Sequence, residues 1–285
     1  MGRVAAIGLA ILLLASAAGA ANNQTFTDPV GDSQPGAPDI SSIQVANDDN
    51  GRFEIRVTLA NRPELLEGDF VSFYLDRDDN TATGCGQGVG VDYALNARGH
   101  DAPTPDTFGI LRCLNSVLDV RTPQTGFSGM YDPATQTVIF DLSCANIGRP
   151  SSFRLVVVTN HGPTAFDFAG DDQPWIYTVT PRCPPDTQAP HVRTLASTGV
   201  RGGTAKLRYH VSDDSGETQE KIAVYQGKRG LARTTTSWGS AAPGPVYFVT
   251  WPVPKHAQHS LRFCVRAKDR AGNGSKLSCA RLTIR

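Results

Sequence analysis

Alternation of apolar and polar side chains constrains this chain more than any other feature. Phe53, Ile55, Val57 and Leu59 alternate with Arg52, Glu54, Arg56 and Thr58. A period of two sets one row against a core and the other in water, as in a half-buried strand. Asn50-Gly51 precedes this run and Ile43-Gln44-Val45 lies before it. Together they read as a hairpin across a turn suited to positive φ. Further strands are expected at 70–75, 91–95, 107–112, 117–120, 126–131, 137–142, 153–159 and 176–179. Asp132-Pro133-Ala134-Thr135 reads as the turn between two of them. Leu207, Tyr209 and Val211 alternate with Lys206, Arg208 and His210, and a second such run covers 261–268. No amphipathic helical stretch of useful length occurs. The chain is expected to be all-β: a jelly-roll-like sandwich followed by an immunoglobulin-like one of about seven strands.

The division into two is carried by residues 181–190, which hold four prolines and form a stiff, extended connector. Charge reverses across it. Residues 21–185 contain 21 carboxylates, 10 arginines and no lysine, whereas residues 186–285 contain 6 carboxylates and 16 lysines and arginines. Such asymmetry implies two surfaces of different kind. The expected organisation is a signal peptide at 1–20, an acidic sandwich at 21–180, the linker at 181–190 and a basic sandwich at 191–285. Arg3, the apolar run through Ile11-Leu12-Leu13-Leu14 and the Ala18-Gly19-Ala20 cleavage site define the leader. No later segment is apolar for long enough to span a membrane, so a secreted product is expected.

Six cysteines remain in an exported chain, none spaced as a zinc pair, so disulfides are expected. If the turn at Asp269–Ser275 is centred between Ala271 and Gly272, Cys264 and Cys279 face each other across a hairpin. In the first domain four cysteines allow three connectivities; sequence neighbours favour Cys85 with Cys113 and Cys144 with Cys183.

The first domain resembles the secreted β-sandwich group that includes DOMON domains and family-nine carbohydrate-binding modules. The resemblance is carried by Asp28-Pro29-Val30-Gly31-Asp32, Pro38-Asp39-Ile40, Leu75-Asp76-Arg77-Asp78-Asp79-Asn80, Val91-Asp92-Tyr93 and Gly170-Asp171-Asp172-Gln173-Pro174-Trp175. It implies a jelly-roll-like fold, in many members a structural calcium and, in some, sugar binding. The second domain resembles bacterial immunoglobulin-like or fibronectin-type modules, through Asp186–Pro190, Val249–Pro254, Phe263–Asp269 and Ala271-Gly272-Asn273. Such modules act as spacers or adhesion units, and the fold fixes no activity.

Asp76-x-Asp78-x-Asn80 is the leading ion-site candidate, because calcium takes six to eight oxygens and alternating carboxylates on a tight loop supply them. Thr81 and Gln87 stand where an EF-hand would have its glycine and bidentate glutamate, so a β-loop site completed by Asp92 is expected instead. An acidic turn without an ion is the competing reading. Asp28, Asp32 and Asp39 form a second acidic group, for which turn and cap chemistry is the favoured reading over an ion site. Trp175, with Tyr74, Tyr93 or Tyr131 as a second face, is the candidate sugar platform; a core position for Trp175 competes with it. Haem-binding relatives use Met and His ligands; Met130 is the one methionine after the leader, with His100 and His161 near it in sequence, and no haem is expected. His256-x-x-His259 reads as a surface pair.

Enzyme signatures such as G-x-S-x-G and H-E-x-x-H are absent from the sequence. The basic second half lacks a nucleic-acid-binding module, so its expected partners are a cell-wall polymer, an extracellular polysaccharide or the neighbouring acidic domain, not nucleic acid, with a merely solvated face as the competing reading. The sequence thus points to a secreted, non-catalytic binding or scaffolding protein at the cell envelope, with carbohydrate the favoured ligand class. An accessory or degenerate hydrolase and a ligand-free spacer are the other readings.

Overall fold

The computed structural model describes residues 21–86, 90–101, 104–114, 116–119, 126–170 and 174–285. The leader expected at 1–20 lies outside them, as do Gln87 and the Asp171-Asp172-Gln173 part of the last motif. The described residues are all-β, with one short 3-10 turn at Cys144–Ile147. No helix among them is long and apolar enough to cross a membrane.

The first sandwich contains β1 (Asn22–Thr27), β2 (Ile40–Asn47), β3 (Arg52–Leu59), β4 (Asp69–Asp76), β5 (Tyr93–Arg98), β6 (Thr107–Leu114), β7 (Val117–Asp119), β8 (Ser128–Asp132), β9 (Thr137–Ser143), β10 (Ser152–His161), β11 (Ala165–Ala169) and β12 (Trp175–Thr178). One sheet runs β1-β2-β3-β9-β8 and the other β11-β10-β4-β5-β6-β7, with β12 also on β10. Alternation works as the sequence implies: Phe53, Ile55, Val57 and Leu59 are buried and meet Phe73, Leu75, Phe153 and Leu155 from the facing sheet. Burying each such side chain contributes roughly 1.5–3 kcal/mol. The Asn50-Gly51 hairpin forms, with Gly51 at φ +75°. In the Asp132 turn that side chain accepts hydrogen bonds from Ala134 N at 3.0 Å and Thr135 Oγ1 at 2.7 Å.

The second sandwich contains β13 (His191–Thr194), β14 (Ser197–Gly199), β15 (Thr204–Ser212), β16 (Glu217–Gln226), β17 (Arg229–Thr235), β18 (Gly239–Ser240), β19 (Tyr247–Pro252), β20 (Ser260–Lys268) and β21 (Ser278–Ile284). One layer is β13-β15-β19 and the other β14-β21-β20-β16-β17; β14 pairs with both β15 and β21 and joins them. Leu207, Tyr209, Trp251, Ile222, Phe263, Val265 and Leu282 fill the space between.

All six cysteines are paired: Cys85–Cys113, Cys144–Cys183 and Cys264–Cys279. Register places Cys264 directly opposite Cys279, the relation expected from the turn. Cys144–Cys183 anchors the start of the proline-rich segment to the first sandwich. Pro184 then packs over the Gly51 turn so closely that a Cβ on Gly51 would lie 2.6 Å from Pro184 Cδ.

Candidate functional site

The acidic loop after β4 folds back on itself. Cys85 and Val91 exchange backbone hydrogen bonds of 2.8 and 2.9 Å, and Cys85–Cys113 ties the loop to β6. Gly90, at φ +72°, lets the returning chain pass close to Asp76: a Cβ there would lie 2.9 Å from Asp76 Oδ2 and 2.8 Å from the Asn80 carbonyl. Asp76, Asp78 and Asp92 consequently bring one carboxylate oxygen each within 4.8 Å of one another. Three of the four residues expected at an ion site thus meet. Asn80 stays on the same loop, its N donating to Asp76 Oδ1 at 3.4 Å and its Oδ1 accepting from Ala82 N at 3.1 Å. Asp76 Oδ1 accepts from Asp78 N at 3.2 Å, and Arg154 pairs with Asp76 Oδ2 and with Asp79 at 2.9 Å. Burial pushes the Asp92 carboxyl above its ordinary range, and the hydrogen bond from Arg77 N at 3.0 Å offsets only part of that. The donors are all hard oxygens, which fits calcium, although Arg154 already pairs with Asp76 and Arg77 with Asp92 at 3.8 Å.

Near the N-terminus, both Asp39 oxygens accept from Gly31 N, at 3.2 and 3.0 Å, a turn-closing role. Asp28 and Asp32 are joined by Asp167 of β11, which sequence reading missed, again within 4.8 Å.

Trp175 and Tyr93 occupy one row across the second sheet of the first sandwich, through the pairs Trp175–Leu155, Leu155–Leu75 and Leu75–Tyr93. Residues in one row share a face, and Leu155 and Leu75 show that this face is the core. Tyr93 is 1% exposed, with the Arg77 and Arg112 guanidiniums over its ring, 5.9 and 5.7 Å from the ring centre. Trp175 is stacked on Phe26, with ring centres 5.1 Å apart. Tyr93 therefore offers no ring face to a sugar, and one face of Trp175 is already covered. The core reading of Trp175 accounts for its position.

Met130 is exposed on β8, whereas His161 pairs with Asp69 at 2.8 Å. His259 Nδ1 lies 2.7 Å from the Ile284 carbonyl, and His256 is exposed.

The junction between the sandwiches was not foreseen as a site. Arg112 of β6 reaches Glu217 of β16 at 2.7 Å, and Arg270 holds the same carboxylate at 3.0 and 3.2 Å. Arg149 bridges Asp186 at 3.1 Å and Asp214 at 2.7 Å. The Arg112 and Glu217 side chains are only 9% and 8% exposed. Burial raises the Glu217 carboxyl, but its hydrogen bonds and charge pairing with Arg270 and Arg112 outweigh this and hold it below its ordinary value. Beside it, burial pushes the Asp213 carboxyl up to about 6, against two hydrogen bonds from Ser215. A cleft of about 570 Å³, lined by Arg149, Pro184, His191 and Asp213 among others, opens on one side of the junction.

The acidic domain thus contributes arginines to the junction and the basic domain contributes carboxylates. Five of the six carboxylates after residue 185 sit there: Asp186, Asp213, Asp214, Glu217 and Asp269. The sixth, Glu220, is buried against Thr218 and Thr236. None of the six is exposed. One outer sheet face in consequence carries cations without carboxylates. Register sets Lys221 beside Arg266, Arg262 beside Arg281, and Arg233 and Lys268 on the flanking pairs, all exposed. Arg262 lies over the Tyr225 ring at 5.4 Å.

No family description matches the chain, and no curated protein does. Among solved structures, the PKD domain of an M14-like peptidase from Thermoplasmatales archaeon SCGC AB-540-F20 is 18% identical, covering 34% of this chain and 92% of its own, with a TM-score of 0.24. The fibronectin(III)-like modules of Clostridium thermocellum CbhA are 11% identical over 83% of this chain and 86% of theirs, with a TM-score of 0.25. Scores of this size carry no information on what the chain binds or does.

Proposed function

We propose that the chain is an extracellular, non-catalytic binding or scaffolding protein whose second sandwich holds an anionic polysaccharide or wall polymer of the cell envelope. The observation that carries this is the basic sheet face of Lys221, Arg233, Arg262, Arg266, Lys268 and Arg281, from which every carboxylate of the domain has been withdrawn. A field of one sign over a flat face attracts a polyanion along its length. Three disulfides fit an oxidising compartment. In the first sandwich, the resemblance to calcium-bearing β-sandwiches and the Asp76, Asp78 and Asp92 cluster support a structural calcium there.

The test uses the full chain on immobilised polyuronate and on neutral glucan, at low and high salt. Retention on the polyuronate that salt abolishes is expected, because exposed charges are screened beyond about 10 Å at 0.1 M salt. The triple variant Arg262→Glu, Arg266→Glu, Arg281→Glu is expected to flow through. Salt-resistant retention on neutral glucan would replace this reading with a neutral sugar site. Retention on neither matrix would leave the spacer reading.

A further inference from the structure

We infer that Asp186, Asp213 and Asp269 form a calcium site that locks the interdomain linker onto the second sandwich. The three residues come from separate loops: the linker, the turn between β15 and β16, and the turn between β20 and β21. One carboxylate oxygen of each lies within 4.8 Å of the others. Asp269 is 1% exposed and Asp213 8%. Asp213 Oδ2 is held by Ser215, but its Oδ1 is buried with no hydrogen-bond partner among the described residues. A buried carboxylate oxygen left bare among other carboxylates is costly unless a cation or a proton meets it.

The charges nearby do not balance. Arg149 touches Asp186 and Asp214, and Arg270 and Arg112 are committed to Glu217. Among the described residues, four carboxylates, counting Asp214, are thus met directly by one guanidinium. Asp214 Oδ1 is a second buried oxygen with no partner among the described residues. Hydrogen bonds already orient the set: Asn273 donates to both oxygens of Asp269, each at 2.8 Å, and to the Asp186 carbonyl at 3.1 Å. Carboxylates on three loops, without His or Cys, suit a cation that tolerates irregular oxygen coordination, which is calcium rather than magnesium or zinc. Because Asp186 belongs to the linker and also pairs with Arg149 of the first sandwich, occupancy would fix the junction on both sides.

The test is calcium binding to the full, metal-stripped chain by calorimetry and equilibrium dialysis. It compares wild type, Asp213→Asn, Asp186→Asn, and Asp78→Asn with Asp92→Asn as the first-sandwich reference. Loss of about one bound calcium per chain is expected in Asp213→Asn and in Asp186→Asn, and its retention in the reference variant. Calcium should also slow proteolysis within 184–190 in wild type and not in Asp186→Asn. Asp186 lies outside both sandwiches, so its variant decides the matter if Asp213→Asn does not fold. No calcium bound by wild type, or undiminished binding by Asp186→Asn together with unaltered linker cleavage, overturns the inference.

Discussion

At the scale of single residues, two glycines with similar backbone conformations separate strain from crowding. Gly31 has φ +92° and nothing within 4 Å of the place a Cβ would take. Gly51 has φ +75°, with Pro184 Cδ at 2.6 Å and Cys144 Sγ at 2.9 Å from that place. Gly31→Ala should cost only the left-handed backbone term, about 1–2 kcal/mol. Gly51→Ala should cost that and roughly 1–3 kcal/mol more, because the linker must lift off the turn. Urea midpoints of the two variants measure the difference; equal losses would show that Pro184 does not bear on the turn. Asn50-Gly51 is readable as a turn from its own dipeptide. The second reason for glycine there is not, because it comes from a segment at the other end of the domain.

At the scale of elements, strands whose apolar row faces the core were legible and strands that break that rule were not. β3 and β10 alternate as the sequence does. β1 escapes notice because only Phe26 of its six residues is buried. β11 is inverted: Phe166 and Phe168 turn outward, while Asp167 turns inward and accepts from Ile40 N at 2.7 Å. Its alternation is visible, but the side that faces the core is set by a contact far away in sequence. The acidic loop was legible to the extent that its residues are neighbours, with Asp92 inferred beyond the motif. Asp167, Asp186, Asp213 and Asp269 were not, since only the fold brings them together. The hairpin of β20 and β21 was legible down to its disulfide, because a turn centre fixes register. Replacing Cys264 and Cys279 with serine should lower stability by about 3 kcal/mol in the chain-entropy model for a separation of 15 residues. Denaturant unfolding checks this, and an unchanged midpoint would mean that β-pairing alone sets the unfolded-state reference for this hairpin.

At the scale of the molecule, the opposite net charges of the halves suggest attraction between the domains, but the ion pairs at their junction have the other polarity. The contact runs against the net charges, with arginines from the acidic side and carboxylates from the basic side. Gathering those carboxylates at the junction also leaves the outer face of the second sandwich basic. One distribution of charge therefore serves both docking and the proposed polymer contact. The two should respond differently to solution conditions: salt weakens the exposed face far more than the buried pair. Glu217→Gln keeps the side-chain shape but leaves Arg112 buried opposite a neutral amide, which should cost about 3–5 kcal/mol. The pH dependence follows from the direction of the Glu217 shift. Its folded-state carboxyl lies below the ordinary value of 4.5, so its contribution is present above that value and is lost as pH falls through the lower, folded one. Wild type should thus exceed Glu217→Gln in stability at neutral pH, and the gap should close only on acidification below about pH 4.5. Thermal unfolding of both proteins across that range measures the gap directly. A gap that stays constant from neutral pH down to about pH 3 would show that the variant perturbs packing rather than charge, and that docking rests on something other than the Arg112–Glu217–Arg270 cluster.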